Sequence, residues 1–259
     1  MAHQIYENVV LSNKMNDILT TKVNLNNYMT IDTTLAEQAG NKKKVITRSA
    51  TSSVEALGMG QGNTKALEVQ KTEAEYEVLT YQGKFDFYDE EESADPYVVD
   101  AGLQFNADDM VNAFTTAAIT EFDKATLSHT AGAWGFDVIV DAIAEMNIED
   151  EAGLFLLISP EDKAALRKAL KDDLKYSEDF SRTGYIGTVA GVPVIVSKAI
   201  AKGKAYLATK EAVTVFIKKD TETEYDRDPD TRHNMYWVRK VAVVALTDAR
   251  KIVKITVGA

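Results

Sequence analysis

The sequence predicts an α+β protein, and three features lead to this fold class. One long stretch, Asp95–His129, has the apolar spacing of a single helix. Stretches rich in β-branched and aromatic residues lie before this helix and again in the C-terminal part of the chain. Between them, helices and strands alternate from Gly135 to Ala201, which indicates a small α/β unit.

The composition favours a soluble globular protein and argues against several functions. Of 259 residues, 45% are apolar and 27% are charged, enough to bury a core in one elaborated domain or two small ones. The formal net charge of -11 argues against general nucleic-acid binding, which depends on clustered Lys and Arg. The chain has no cysteine, so disulfides and thiolate metal sites are excluded. No signal peptide and no membrane-spanning segment are predicted.

The N-terminal residues are predicted to form an arm. Ile5–Leu19 has apolar residues at approximately helical spacing, which indicates a short amphipathic segment. Val23–Asn41 lacks a clear period and is predicted to be extended chain or loop. Lys42-Lys43-Lys44 could hold a phosphate, but three adjacent charges are more typical of a solvated turn.

Two β-type stretches, Val45–Ser49 and Glu75–Tyr88, predict a long hairpin with Gly58-Met59-Gly60-Gln61-Gly62 near its tip. These glycines lack the dinucleotide-binding spacing, so a flexible tip is favoured over a phosphate-binding loop. The hairpin has apolar groups on both faces and little core of its own. It therefore needs a partner surface, either elsewhere in the chain or on a neighbouring copy.

The long helix is predicted to begin with Asp95 as its N-cap and Pro96 in its first turn. Two segments are the alternative, because Gly102 and Asn106 are weak helix formers and a restart near Asn106 would suit the acidic residues that follow. The acidic run Asp89–Glu92 is interpreted as a hinge and helix-start device rather than a metal site. The predicted buried stripe, in which Phe114 and Phe122 face a sheet, consists of Val99, Leu103, Met110, Phe114, Ala118, Phe122 and Ala125.

The α/β unit begins with a second helix, marked by Phe136, Ile139, Val140, Ile143 and Met146. The apolar run Leu154–Ile158 predicts a central strand that is buried on both faces. Ser159 and Pro160 then begin a third helix that runs to about Leu170. A charged loop, Lys171–Thr183, leads into a hairpin whose strands are Tyr185–Val189 and Val192–Ser197, with a turn at Ala190-Gly191.

The C-terminal part is predicted to supply the sheet on which the long helix rests. Its strands are expected at Tyr206–Ala208, Val213–Ile217, Tyr236–Leu246 and Ile252–Val257.

The search for a metal site gives none. Asp226, Asp228 and Asp230 match the first three ligand positions of a calcium loop. Thr231 and Trp237 stand where that loop requires Gly and Glu, so a solvated acidic turn is favoured.

The histidines also give no catalytic site. His3, His129 and His233 are isolated in the sequence, which argues against a zinc centre. Ser128 and His129 could form a nucleophile and base, but neighbours on a helix point about 100° apart. No catalytic, cofactor-binding or metal residue is assigned, and the chain is not predicted to be an enzyme.

Two motifs and the order of elements carry a family resemblance over nearly the whole chain. The first motif is Tyr81–Glu90 leading into Asp95-Pro96, and the second, more specific one is Gly187–Ser197 after a charged loop. With an arm, a long hairpin, a long helix, an α/β unit and a β-rich end, the chain resembles the tailed-phage major capsid proteins, which have the Hong Kong 97 capsid fold.

This resemblance implies a domain organisation. It consists of an N-terminal arm (1–44), an E-loop hairpin (45–94), a P-domain spine helix (95–134), an A-domain (135–208) and returning P-domain strands (209–259). A long N-terminal scaffolding segment, found in some members, is not expected, so a scaffold would be a separate protein or unnecessary. Cross-linking between subunits would need Lys65 or Lys71 to meet an Asn of a neighbour, and it is not assigned. The charged loop Lys171–Thr183 is expected at the centre of each capsomer ring.

The resemblance also implies a structural function. Copies of the chain would form hexamers and pentamers and close into an icosahedral head around double-stranded DNA, without sequence-specific DNA binding, cofactor or membrane. The protein would belong to the virion after assembly in the bacterial host cytoplasm, with scaffolding, portal and decoration proteins as candidate further partners. An encapsulin-type nanocompartment shell protein is the first alternative, and an unrelated soluble enzyme is the second.

Overall fold

The computed structural model describes residues 6–7, 28–37, 40–171 and 187–258. These residues form a mixture of helices and sheets, which confirms the predicted α+β class. Most of the predicted arm segment Ile5–Leu19, nearly all of the charged loop Lys171–Thr183, and His3 lie outside the described residues. In the described part of the chain, no helix is both long and apolar enough to span a membrane.

The α-helices are α1 Asp89–Ala94, α2 Val98–Phe122, α3 Phe136–Met146 and α4 Pro160–Ala169, and two short 3-10 helices are Thr34–Glu37 and Ala249–Lys251. The strands are β1 Tyr6–Glu7, β2 Thr30–Asp32, β3 Lys42–Ala50, β4 Val69–Glu77, β5 Leu79–Tyr88, β6 Leu127–Ala131, β7 Leu154–Ile158, β8 Thr188–Val189, β9 Val192–Val196, β10 Lys204–Thr209, β11 Val213–Asp228, β12 His233–Leu246 and β13 Ile252–Val257.

A five-stranded sheet supports the long helix α2. Its centre is the antiparallel ribbon of β11 and β12, and β5 pairs with the other edge of β12. The short strands β1 and β2 pair with different parts of β11, antiparallel and parallel respectively. Both β11 and β12 are longer than predicted, and α2 lies against β5 and β12.

A six-stranded sheet has the order β6-β13-β10-β7-β9-β8. All five residues of β7 are buried, which confirms the predicted central strand. The prediction that β10 and β13 join the sheet beneath the long helix is wrong, because both lie in this second sheet. Periodicity shows that β13 is an apolar interior strand, but it does not specify which sheet the strand enters.

The predicted hairpin is confirmed for β3 and β4, which pair from Lys42 with Glu77 to Ala50 with Val69. The second predicted strand is interrupted at Val78, after which β5 pairs with β12 instead. The three lysines form the start of β3 rather than a turn. Their backbone pairs with β4, which explains the extended conformation, and Lys42 and Lys44 add exposed ion pairs with Glu75 on that strand.

Helix α2 differs from the prediction at both ends. Asp95 ends α1 instead of capping α2, and its carboxylate accepts a hydrogen bond from the Tyr97 backbone N–H at 3.0 Å. The helix ends at Phe122 rather than His129, because Leu127–Ala131 pairs in parallel with β13. The alternative of two segments is also wrong, since α2 is continuous past Asn106.

Gly102 is a packing position rather than a weak point of α2. A Cβ added there would lie 2.5 Å from Cζ of Phe85 in β5. Gly83 of β5 is similar, because an added Cβ would lie 2.7 Å from Asn106 Oδ1. The two glycines therefore allow the helix and the sheet to approach closely.

The two phenylalanines predicted to face the sheet differ in their partners. The ring of Phe114 is 4.3 Å from that of Tyr81 in β5, as expected for the five-stranded sheet. Phe122 is fully buried, but its aromatic partners are Phe155 and Tyr206 of the six-stranded sheet. The last turn of α2 therefore connects the two sheets, a role that the helical period alone does not reveal.

The predictions for the α/β unit agree closely with the structure. Helix α3 covers the predicted residues, and Ser159 caps α4 by accepting a hydrogen bond from the Asp162 N–H at 3.1 Å. The turn between β8 and β9 has positive φ at Ala190 (50°) and Gly191 (78°), which is typical of a two-residue hairpin.

Candidate assembly surfaces

The described residues that were considered for catalysis do not form a catalytic arrangement. Ser128 and His129 lie on strand β6, not on a helix, so their side chains point to opposite faces. His233 Nε2 is 3.2 Å from Asp86 Oδ2, and its ring stacks on Tyr88 at a centroid distance of 4.8 Å. Within residues 6–7, 28–37, 40–171 and 187–258, no group of three His, Asp or Glu side chains is placed to hold a metal ion.

In the acidic turn after β11, the carboxylate of Asp228 accepts hydrogen bonds from residues of the same turn. Asp228 accepts bonds from the Asp230 N–H at 3.0 Å and from Thr231 Oγ1 at 2.9 Å. The backbone bond from Asp230, followed by the hydroxyl bond, holds the pKa of Asp228 below its usual range. This carboxylate therefore stabilises the turn between β11 and β12.

The distal part of the hairpin is the most exposed apolar surface of the described chain. The exposed fractions are 86% for Val54, 46% for Leu57, 107% for Met59 and 57% for Leu67. These four large apolar side chains lie close together in the sequence. None of them is buried in a core of the described chain. Such a surface is typical of a contact with another molecule.

The base of the hairpin, in contrast, is attached to the rest of the chain. Lys43 Nζ lies 4.3 Å from the ring centroid of Phe216 in β11, and Lys124 Nζ lies 5.2 Å from that of Tyr76 in β4. Burial, and then the charge of Glu121, raise the pKa of Tyr76. These contacts attach the base of the hairpin of β3 and β4, called the arm from here on, to the rest of the chain. The far end of this hairpin stays exposed.

A second exposed apolar surface surrounds the start of α2. Tyr97 is 75% exposed and Phe105 is 70% exposed. A groove of about 320 Å³ lies beside them, lined by Lys84, Phe85, Val98, Ala101, Gly102, Phe105, Asn106 and Asp109. The groove is open and mixed in polarity, which suits a protein contact better than an enclosed small-molecule site.

The face of the five-stranded sheet opposite α2 carries a charge network. Arg239 Nε is 3.0 Å from Glu222 Oε2, and Arg239 Nη2 is 2.8 Å from Glu224 Oε1. Lys84 Nζ lies 6.0 Å from the ring centroid of Trp237 on the same face. Trp and Arg are enriched at protein interfaces, so Trp237 and Arg239 make this face a further candidate surface.

A buried carboxylate that the sequence does not indicate organises the six-stranded sheet. Asp162 is 3% exposed and accepts bonds from Trp134 Nε1 (3.1 Å), Ser159 Oγ (2.7 Å) and the Gly203 N–H (2.8 Å). Asp162 lies in the first turn of α4, where acidic residues are common at a helix start. Its hydrogen bonds with Trp134 and Gly203 depend on the tertiary fold.

Sequence comparison identifies relatives among phage proteins. The profile of a family described as "Phage capsid protein" matches residues 71–255. A major capsid protein of Staphylococcus phage phiMR11 is 31% identical over 121 residues. That match covers 45% of this chain and 44% of the relative, so it spans less than half of the relative's length.

Structure comparison finds similar folds at low sequence identity. The capsid of a native GTA particle has a TM-score of 0.71 at 14% identity, covering 92% of this chain and 90% of that chain. The mature capsid of bacteriophage PhiM1 gives 0.68 at 12% identity, with coverages of 90% and 86%. A virus-like particle from Pyrococcus furiosus gives 0.66 at 15% identity, with coverages of 95% and 97%.

Proposed function

This chain belongs to the phage capsid protein family, and we propose that it is the major capsid protein of a tailed double-stranded DNA bacteriophage. Its copies form hexamers and pentamers that close into an icosahedral head around the genome. The observation that carries this proposal is the arm of β3 and β4, which is attached at its base and exposes apolar side chains at its far end.

The fold supports this function. The Hong Kong 97-type fold predicted from the sequence is confirmed by the solved phage capsids that the chain resembles over most of its length. We propose the domain boundaries 1–44, 45–94, 95–134, 135–208 and 209–259 with two adjustments. Strand β5 belongs with the sheet of the spine helix, and β13 belongs with the six-stranded sheet.

The arm is proposed to lie on an adjacent subunit. Burying four large apolar side chains would contribute about 1.5–3 kcal/mol for each one that becomes fully covered. Among the residues that the structure describes, none forms a surface that covers these groups. The same contact repeated by symmetry closes a shell in which no single interface has to be strong.

The charge of the chain suits a container for DNA. A net charge of -11 avoids a strong general attraction to phosphates, so the genome can enter and leave without being held by the wall. We propose a virion protein without enzymatic activity, assembled in the host cytoplasm. Scaffolding, portal and decoration proteins are its proposed further partners.

The alternative of an encapsulin-type compartment has less support. The family profile and the curated relative both describe phage capsid proteins. Electron microscopy of the purified protein separates the possibilities. Empty or irregular shells support a capsid subunit, small uniform shells filled with cargo enzymes support the compartment, and a stable monomer under all conditions contradicts both.

Limited proteolysis tests the placement of the arm. The glycine-rich segment 58–63 should be cut rapidly in the unassembled protein and protected in assembled shells. A matched site for comparison is the exposed turn at residues 229–232, which lies outside the arm. Equal cleavage of segment 58–63 before and after assembly would contradict an arm that lies on a neighbour.

A further inference from the structure

Helices α3 and α4 cover the same face of the six-stranded sheet. The connection through α3 is a crossover between the parallel strands β6 and β7. Buried residues of α3 and α4 belong to one core cluster with alternate residues of β7, which places both helices on one face of the sheet. Because β6 is at one edge and β9 lies towards the other, α3 and α4 flank opposite sides of this layer.

The flank of α3 above the β6 edge is acidic. Asp137, Asp141 and Glu145 are four residues apart and exposed, so they form a row on one side of the helix. Asp141 and Glu145 line an open groove of about 510 Å³ together with His129 of β6. The acidic row therefore faces outward, past the edge strand of the sheet.

The flank of α4 on the other side is basic. Asp162 marks the side of α4 that faces α3, because it binds Trp134 and Gly203. Lys163 and Arg167 follow Asp162 at about 100° and 140° around the helix axis, on the side that faces away from α3. The exposed residues Lys168 and Lys171 extend this basic surface.

The helix dipole explains only part of these two rows. It favours Asp137 at the start of α3 and Arg167 and Lys168 in the last turn of α4. It opposes Glu145 in the last turn of α3 and Lys163 in the first turn of α4. Like charges four residues apart also repel one another within each helix.

The basic row lacks a counter-charge in the described part of the chain. Burial, and then the charge of Arg167, lower the pKa of Lys163. Among the described residues, the ion pair on α4 is that of Glu161 with Lys202, and no carboxylate pairs with Lys163 or Arg167. Within the described residues this repulsion is therefore not balanced by a carboxylate.

We propose that the acidic flank of α3 on one copy packs against the basic flank of α4 on the next copy around a capsomer ring. This inference rests on the proposed capsid function and adds the contact that orders neighbouring copies. Both rows have four-residue spacing, and they lie on opposite sides of the same layer. A contact between two different patches of one chain is head to tail, and it closes into a ring when the rotation permits.

A charge-swap experiment on the full chain tests this contact. The single variants Arg167→Glu and Asp141→Lys each place like charges across the proposed contact, and the double variant restores opposite charges. Lys210→Glu is the control for Arg167→Glu, because it also replaces a positive charge with a negative one, at an exposed turn outside both helices. Circular dichroism establishes folding, and sedimentation velocity with electron microscopy measures assembly at low and high salt. Arg167→Gln, which only removes the charge, replaces Arg167→Glu if that variant does not fold.

At low salt, each single variant should assemble only at a protein concentration about tenfold higher than the wild type needs. This difference should shrink at high salt. The double variant should return to within about twofold of the wild-type concentration. An equimolar mixture of the two single variants should also form hexamers better than either alone, since copies that alternate around a ring of six restore opposite charges at every contact.

The inference is overturned if the single variants assemble like Lys210→Glu, or if the double variant assembles no better than the weaker single variant. In those cases the wild-type chain still forms shells and the proposed function stands. A wild-type chain that never assembles would instead refute the proposed function, and the proposed contact with it.

Discussion

Replacing Phe122 with alanine should destabilise the unassembled chain by about 3–5 kcal/mol. The Phe122 side chain is fully buried, with ring centroids 6.4 Å from Phe155 and 5.9 Å from Tyr206. Removing the ring takes a large apolar group from the junction between α2 and the six-stranded sheet. The cost belongs to the upper range of core truncations, because residues of both sheets line the site and cannot all move inward.

Phe105 provides a matched control on the same helix. Its side chain is 70% exposed, so Phe105→Ala should change the free energy of unfolding by about 0.5 kcal/mol or less. Both variants remove the same atoms from α2, and only the burial of the ring differs. Urea unfolding of unassembled protein, followed by circular dichroism, gives the two free energies. Thermal melting should show a fall of about 10 °C for Phe122→Ala, since about 1 kcal/mol corresponds to about 2–4 °C in a chain of this size.

Two results would refute this reasoning. If Phe122→Ala lay within about 1 kcal/mol of the wild type, the last turn of α2 would not connect the two sheets as described. If Phe105→Ala were equally destabilising in the unassembled chain, the exposed surface at the start of α2 would be covered within the chain itself.

Three further predictions concern packing, a buried acid and pH. Gly102→Ala should destabilise the chain by about 1–2 kcal/mol despite its better helix propensity, because the added methyl meets the Phe85 ring, and Phe85→Leu should recover part of this loss in thermal melts. Asp162→Ala should cost about 2–4 kcal/mol in urea unfolding, because the donors around it, Trp134 Nε1 among them, lose their acceptor. The hydrogen bond from Lys254 is the main cause that holds the pKa of Asp123 below its usual 3.8. Asp123 therefore binds fewer protons in the folded than in the unfolded chain, and its stabilisation is lost as the pH falls below about 4. Thermal melts from pH 7 to pH 3 should show a shallower acid loss for Asp123→Asn.

The elements that could be predicted are those whose cause is local in the sequence. Ser159 and Pro160 carry a complete helix start, and the structure places α4 there. Leu154–Ile158 is apolar at every position and short, a pattern typical of a strand covered on both faces. The positive φ angles at Ala190 and Gly191 follow from a two-residue turn between apolar runs.

The errors arise where distant pairing decides the structure. The long helix was predicted to extend to His129, yet Leu127–Ala131 forms a strand because β13 offers a complete parallel partner. The acidic run at Asp89 was expected to lead directly into one helix from Asp95. Instead it forms α1, in which the Glu91 side chain accepts a hydrogen bond from the Tyr88 backbone N–H at 3.0 Å, and a turn at Asp95 separates the two helices.

The candidate surfaces were predictable to different extents. Apolar groups on both faces of the predicted hairpin already require a partner surface, either elsewhere in the chain or on a neighbouring copy, but no sequence pattern singles out the exposed Val54 and Met59. The contacts at the base of the arm could not be predicted, because Lys43 and Phe216 are far apart in the chain. Charge rows on α3 and α4 are visible in the sequence, but only the sheet order shows that they lie on opposite sides of one layer.

The end of α2 contacts both the base of the arm and the core of the chain. Glu121 and Lys124, joined at 2.6 Å, lie beside Tyr76 at the base of the arm, while Phe122 between them enters the core of the six-stranded sheet. The base of the arm is therefore attached to the end of α2, where Phe122 is buried in the core. The distal residues contribute little to the stability of a single chain because they are exposed. Substitutions there should alter association without unfolding the subunit, whereas substitutions at Tyr76 should change where the arm points and so affect every contact that it makes.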